Sequence, residues 1–248
     1  MDVAADDIPV RDWQGCVPDC GGCDHAALRA RGGCEPGRSC VHDAYARRID
    51  RFLRHHPQLA SQHLRHPYFE VRAIAARHVD VFGLQRLVDD PDETVRLQVA
   101  LRLPLAQLHR LRSDPHREVR IRVALRLPAA ELPHLMRDPD YEVRATVARR
   151  LPDALLPLLV NDPDAQVRQA VARRAAMPAL WRMAGDGACE VRRIVAERLP
   201  APLLARLADD PDLIVRHTVA CRAEGALRQR LRNDPDDMVR QAAEAAHG

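Results

Sequence analysis

The sequence contains no lysine; all 38 of its basic residues are arginine. Arginine alone suits a surface selected for bidentate pairing with carboxylates or phosphates. It also follows from a GC-rich genome, and that reading is favoured because a selected surface would leave some lysines elsewhere. Aromatic residues make up only 3% of the chain. The core must then be built from Leu, Val and Ala, which suits helix packing better than sheet packing. Serine occurs three times. No G-x-S-x-G or Walker-type loop is present, and no nucleophile–base pair or carboxylate pair stands in a workable frame. These gaps point away from an enzyme. No run approaches the roughly 18–20 apolar residues of a membrane span. The first residues, Met1 to Asp7, are acidic and lack the basic and apolar regions of a signal peptide. The expectation is a cytoplasmic protein with no membrane partner, whose clustered thiols bind metal rather than form disulfides.

What is present is a repeat. Val-Arg recurs at Val71, Val95, Val119, Val143, Val167, Val191, Val215 and Val239, 24 residues apart each time. A proline stands four residues before each valine except at Gly187, and an aspartate precedes it except at His66. In the unit from Asp90 to Ser113, Asp90 is expected to cap a helix with Pro91 at its first position. Val95, Val99, Ala100 and Leu103 then lie on one helical face, and Pro104 ends the helix. Leu105, Leu108 and Leu111 follow at a spacing of three, which predicts a 3₁₀ turn in the second half of every unit. Pro133 and Pro157 fall in that half and argue against a long α-helix there. Nothing alternates with period two, so no strand is expected. One unit cannot bury its own apolar face, so the units must stack into an all-α solenoid.

The unit D-P-D-x-x-V-R-x-x-V-A-x-R-L-P-x-x-x-L-x-x-L resembles the leucine-rich repeat variant over residues 67–248. The resemblance implies alternating α- and 3₁₀-helices in a right-handed superhelix. Ordinary leucine-rich repeats carry an L-x-x-L-x-L strand that is absent here.

Two arginine columns run through the repeats. One is the Val-Arg column, Arg72 to Arg240; the other is Arg102, Arg126, Arg150, Arg174, Arg198 and Arg222. A basic stripe could bind nucleic acid. Alternatively the arginines pair with the aspartate column at Asp90, Asp114, Asp138, Asp162, Asp186, Asp210 and Asp234. The net charge of only +3 favours pairing.

Five of the seven cysteines lie together: Cys16, Cys20, Cys23, Cys34 and Cys40. The stretch is glycine-rich and nearly lacks large apolar side chains, so it needs a metal as a staple. Four thiolates complete either a [4Fe–4S] cluster or a structural zinc site. Cys20-x₂-Cys23 is the tightest chelating pair and Cys34-x₅-Cys40 supplies the other two, which leaves Cys16 spare. Cys40 is expected to open a helix, Val41 to His55, with the helix dipole favouring its thiolate. His25 and His42 stand nearby as substitute ligands, a role less common than the all-thiolate set. Only one short knuckle is clean, which weakens zinc. Cys16-x₃-Cys20-x₂-Cys23 also has the spacing of the radical SAM motif, but that chemistry belongs on a β/α barrel, which this chain has no strands to form. Cys189 and Cys221 stand alone in the repeats and are expected to be filler.

Gly37-Arg38-Ser39-Cys40 and Tyr45-Ala46-Arg47-Arg48-Ile49-Asp50 are similar to the N-terminal [4Fe–4S] domain of some repeat-variant proteins. That similarity implies iron and sulfide, which the spacing alone does not decide. The expected organisation is a cluster domain at 1–42, a connecting and capping helix at 43–66 and the solenoid at 67–248. The expected function is a non-enzymatic [4Fe–4S] protein with a redox or sensing cluster, whose solenoid surface is a scaffold that binds another protein. The alternatives are a zinc-capped scaffold and a nucleic-acid binder using the arginine columns.

Overall fold

A computed structural model describes residues 8–245. The acidic start at 1–7 and the last three residues lie outside the described part, with the corresponding ends of the expected domains. Among the described residues there is no strand, and the β-type contact is one bridge between Glu35 and Ser39. The chain divides into two compact units between Arg126 and Leu127. In the first, Phe69–Ala75, Glu93–Arg102 and Arg117–Arg126 pack in succession. In the second, Tyr141–Arg150, Ala165–Ala172, Cys189–Arg198, Leu213–Arg222 and Asp237–Ala245 do the same.

The apolar columns form the core of each unit. Val95, Val99, Ala100 and Leu103 are wholly buried, as are Val143, Val147, Ala148 and Leu151 two repeats later. Each buried Val or Leu contributes about 1.5–3 kcal/mol relative to exposure. Leu103 leaves the helix at φ −54° and ψ 138°. Pro104 forces this, because the residue before a proline is driven out of the α region.

The start of the helix in the unit from Asp90 to Ser113 differs from expectation. The cap of Glu93–Arg102 is Asp92, whose side chain accepts the Thr94 N–H. Asp140, Asp164 and Asp212 cap later helices in the same way. Asp90 instead accepts the Asp92 N–H and is held by Arg72, at 2.8 and 2.9 Å from Nε and Nη2. An arginine 18 residues upstream has claimed the carboxylate that would otherwise cap.

The second halves are of two kinds. Ala129–Leu135, Asp153–Leu159 and Ala201–Leu207 are seven-residue 3₁₀ segments, and each contains a proline, Pro133, Pro157 and Pro202. Pro57–His63 opens on one. The halves that begin as α-helix are Val81–Gln85, Leu105–Leu108, Ala179–Arg182 and Gly225–Leu231; Ala179–Arg182 does so directly after Pro178, which stands at the register of Pro202. The uniform 3₁₀ expectation is therefore corrected. Leucine spacing is compatible with either helix; Pro133 and Pro157, at the fifth position of their segments, lack the N–H that an α-helix needs there.

Both arginine columns are internal braces. Arg96 grips Asp114 in bidentate fashion at 2.7 and 3.0 Å and donates Nη1 to the Asp90 carbonyl at 2.8 Å. Arg72–Asp90, Arg144–Asp162, Arg168–Asp186, Arg192–Asp210 and Arg216–Asp234 repeat this pairing. The second column does not join the aspartate ladder in this way. Arg102, Arg126, Arg174, Arg198 and Arg222 each donate Nη1 to a carbonyl 26 residues earlier, at Ala76, Ala100, Ala148, Ala172 and Ala196.

Candidate metal centre

The cysteine-rich segment is a chain of tight turns. Asp12 accepts the N–H groups of Gln14 and Cys16 at 2.9 and 2.8 Å, folding the turn that carries Cys16. Asp19 accepts the Gly21 N–H at 2.8 Å and sets the entry to Cys20 and Cys23. A Cβ at Gly22 would stand 2.9 Å from the Asp19 carboxylate, so a larger residue there would push that side chain aside. Glu35 and Ser39 bridge each other at 2.9 and 2.8 Å around Gly37, whose φ of 83° favours glycine. Cys34 and Cys40 flank that bridge in the chain.

Cys20, Cys23, Cys34 and Cys40 come together. Burial raises the Cys34 thiol, and the neighbouring Cys23 and Cys20 raise it further. Burial pushes Cys40 up to about 11, with Asp43, Cys34 and Cys20 acting in the same direction. Cys20, Cys23 and Cys40 line a hollow of about 250 Å³ together with Asp12, Trp13 and His42. Cys16 is exposed and is not part of that lining. Cys189 and Cys221 belong to the second unit. Among the described residues no three donor side chains close around a point that one ion could occupy.

The four thiols fit a multinuclear centre by their chemistry. Cys34 and Cys40, partly buried beside the other thiols, resist ionising alone. A positive centre among them removes that penalty, since the thiolate is the ligand form.

The expected helix from Val41 is shorter than its sequence pattern. It spans Ala46–His55, and Tyr45 is its extended cap residue. Cys40 therefore does not sit at a helix N-terminus. The reason is Asp43, which is 1% exposed and accepts the Tyr45 N–H at 2.8 Å. Asp43 also pairs with buried Arg48 at 3.2 Å. Arg48 donates Nη2 to the Ile8 carbonyl at 2.7 Å and Nη1 to the Pro9 carbonyl at 3.3 Å, and the Ala44 N–H reaches the Arg11 carbonyl at 2.8 Å. These bonds tie the segment before the cysteines to the helix start. Val41 remains buried without belonging to the helix.

Beside the cysteines stands a group of imidazoles that sequence reasoning took only in part. His25 and His42 were read as substitute ligands, and His63 and His66 were not singled out. The four rings pack together, with centroids 5.1 Å apart for His25 and His63, 6.3 Å for His25 and His42, and 5.6 Å for His42 and His66. The Nε2 atoms of His25 and His63 are 3.0 Å apart. Burial lowers all four, and for His63, with three imidazoles around it, the value falls to about 4. The signal in the sequence was the run of histidines at His55, His56, His63 and His66.

Residues 10–62 match the family described as "LRV protein FeS4 cluster". Residues 141–164 and 190–212 match "Leucine rich repeat variant". A solved structure described as "a leucine-rich repeat variant with a novel repetitive protein structural motif" superposes with a TM-score of 0.88. It is 43% identical, over 93% of this chain and 99% of that one. A protein of Rhodobacter capsulatus, described as an uncharacterized 27.7 kDa protein in the nifB 3′ region, is 48% identical over 95 residues. That stretch is 38% of this chain and spans only 39% of the relative's length.

Proposed function

The chain belongs to the leucine-rich repeat variant family, and from that premise we propose that it is a non-enzymatic [4Fe–4S] protein of the cytoplasm. Its cluster carries electrons or senses redox state, and its repeat surface binds another protein. One observation carries the reading: Cys20, Cys23, Cys34 and Cys40 gather within the segment that matches an FeS4 cluster family. These four would hold the irons, with Cys16 outside the set. When bound, such a centre supplies one-electron transfer at a potential set by nearby charge, hydrogen bonds and exposure. Asp12, Asp19 and Asp24 line the same hollow as the thiols, and their negative charge favours the oxidised state. Stacked repeats offer the extended surface that suits a protein partner. Nucleic acid is the weaker partner class, because the arginines that would serve it are spent on internal braces.

The test of the redox role is a titration of the anaerobically purified chain, followed by absorbance and electron paramagnetic resonance. A reversible one-electron step at an accessible potential is expected. A cluster that shows no reversible step is structural, and the redox role falls.

A further inference from the structure

Before Ser39, the described part of the cysteine-rich segment has a single buried side chain, His25. Its ring is 7% exposed and packs 5.2 Å from the Phe52 ring. Its Nε2 stands 3.0 Å from Nε2 of His63, which is equally buried. One of the two nitrogens must carry the proton and the other the lone pair, so the rings hold complementary tautomers. The same residue that is pinned by its ring also presents its backbone N–H to the Cys23 sulfur, at 3.3 Å. His25 further sets the turn that follows, since its carbonyl accepts the N–H groups of Leu28 and Arg29. The loop's fixed point and a hydrogen bond to a ligand sulfur are thus one residue.

We propose that His63 is a positioning residue for the iron–sulfur centre: by holding the His25 ring, it fixes the His25 N–H on the Cys23 sulfur. The inference rests on the cluster reading above. An N–H aimed at a ligand sulfur stabilises the extra negative charge of the reduced state and so raises the potential. His63 belongs to Pro57–His63, outside the cysteine segment, so the cap of the repeats sets a bond inside the cluster loop. His56 makes a parallel tie, with Nε2 2.6 Å from the Gly33 carbonyl.

The experiment compares the full chain with His63→Ala, His63→Leu and His63→Gln, each assayed for iron and sulfide content and for midpoint potential. Glutamine places an amide near the Nε2 position and keeps the hydrogen bond; alanine and leucine remove it. The expected result is a more negative potential in the alanine and leucine variants, with glutamine near the wild-type value. If alanine and leucine fail to take up iron while glutamine loads normally, the bond is required and the inference stands. Equal potentials in all four loaded proteins overturn it and leave the cluster reading intact. Failure of the glutamine variant to load also overturns it. A wild-type chain without iron and sulfide removes both the inference and the reading beneath it.

Discussion

Arg144 makes four hydrogen bonds that a lysine cannot reproduce. Nε and Nη2 reach Asp162 at 2.8 and 2.9 Å, and Nη1 reaches the carbonyls of Asp138 and Pro139 at 2.8 and 3.3 Å. A lysine is a point charge with no planar fork. Arg144→Lys is expected to lower stability by about 1–3 kcal/mol, since it strands part of a buried carboxylate's bonding. Urea denaturation measures this, and an unchanged midpoint would show that the brace is idle. Histidine gives a second prediction at this scale. An unfolded imidazole gains its proton near about pH 6.5, whereas His63 resists until about 4 because it is buried among other imidazoles. Between those values the unfolded chain binds more protons, so stability falls as the pH falls through that window. Hydrogen exchange at Ala46–His55 should accelerate from pH 6.5 towards 4, after correction for intrinsic exchange, and His63→Leu should flatten that dependence. The Val-Arg and Asp columns were plain in the sequence, and so was their pairing. Which aspartate caps was not, because D-P-D offers two carboxylates of equal propensity and the deciding arginine lies 18 residues away.

At the scale of elements, the α-helical half of each repeat was legible because its apolar period and its closing proline agree. The second half is expected to be 3₁₀ throughout, and the structure shows both kinds; a proline at the fifth position, Pro133 or Pro157, goes with the 3₁₀ form. In Asp153–Leu159, Pro157 has no N–H to offer the Asp153 carbonyl, so the α pattern cannot form there. Pro157→Ala restores that donor. The expected result is a shift of this segment towards the α-then-3₁₀ form of Leu105–Leu111, with a stability loss of under about 1 kcal/mol from the freer unfolded chain. Carbon chemical shifts and denaturation check the two halves of this claim. A segment that stays 3₁₀ would mean that packing against the repeats, not proline, sets the tight turn. The helix after Cys40 was overextended for a related reason. Val41, Tyr45 and Ile49 keep a helical spacing, but buried Asp43 bonds its own turn and pairs with Arg48, which stops the helix at Tyr45.

At the scale of the molecule, the two arginine columns are engaged within the repeats. The net charge is +3, and both arginine columns are occupied by aspartates and carbonyls. The expectation is no sequence-independent retention of duplex DNA at physiological salt, tested by mobility shift. Retention that falls steeply with salt would show that enough arginines remain available to phosphates. The cysteine cluster was legible in the sequence because spacing grouped five cysteines in one short stretch. The imidazole layer beneath it was not, because His25 and His63 are 38 residues apart and meet only in the fold. The central claim is that the four gathered thiols hold a four-iron cluster. Its most direct test is the iron, acid-labile sulfide and zinc content per chain of anaerobically purified protein, wild type beside Cys16→Ala. About four irons and four sulfides in both are expected. One zinc without sulfide would contradict the account and make the N-terminal segment a zinc knuckle; iron lost in Cys16→Ala alone would place the fifth cysteine among the ligands.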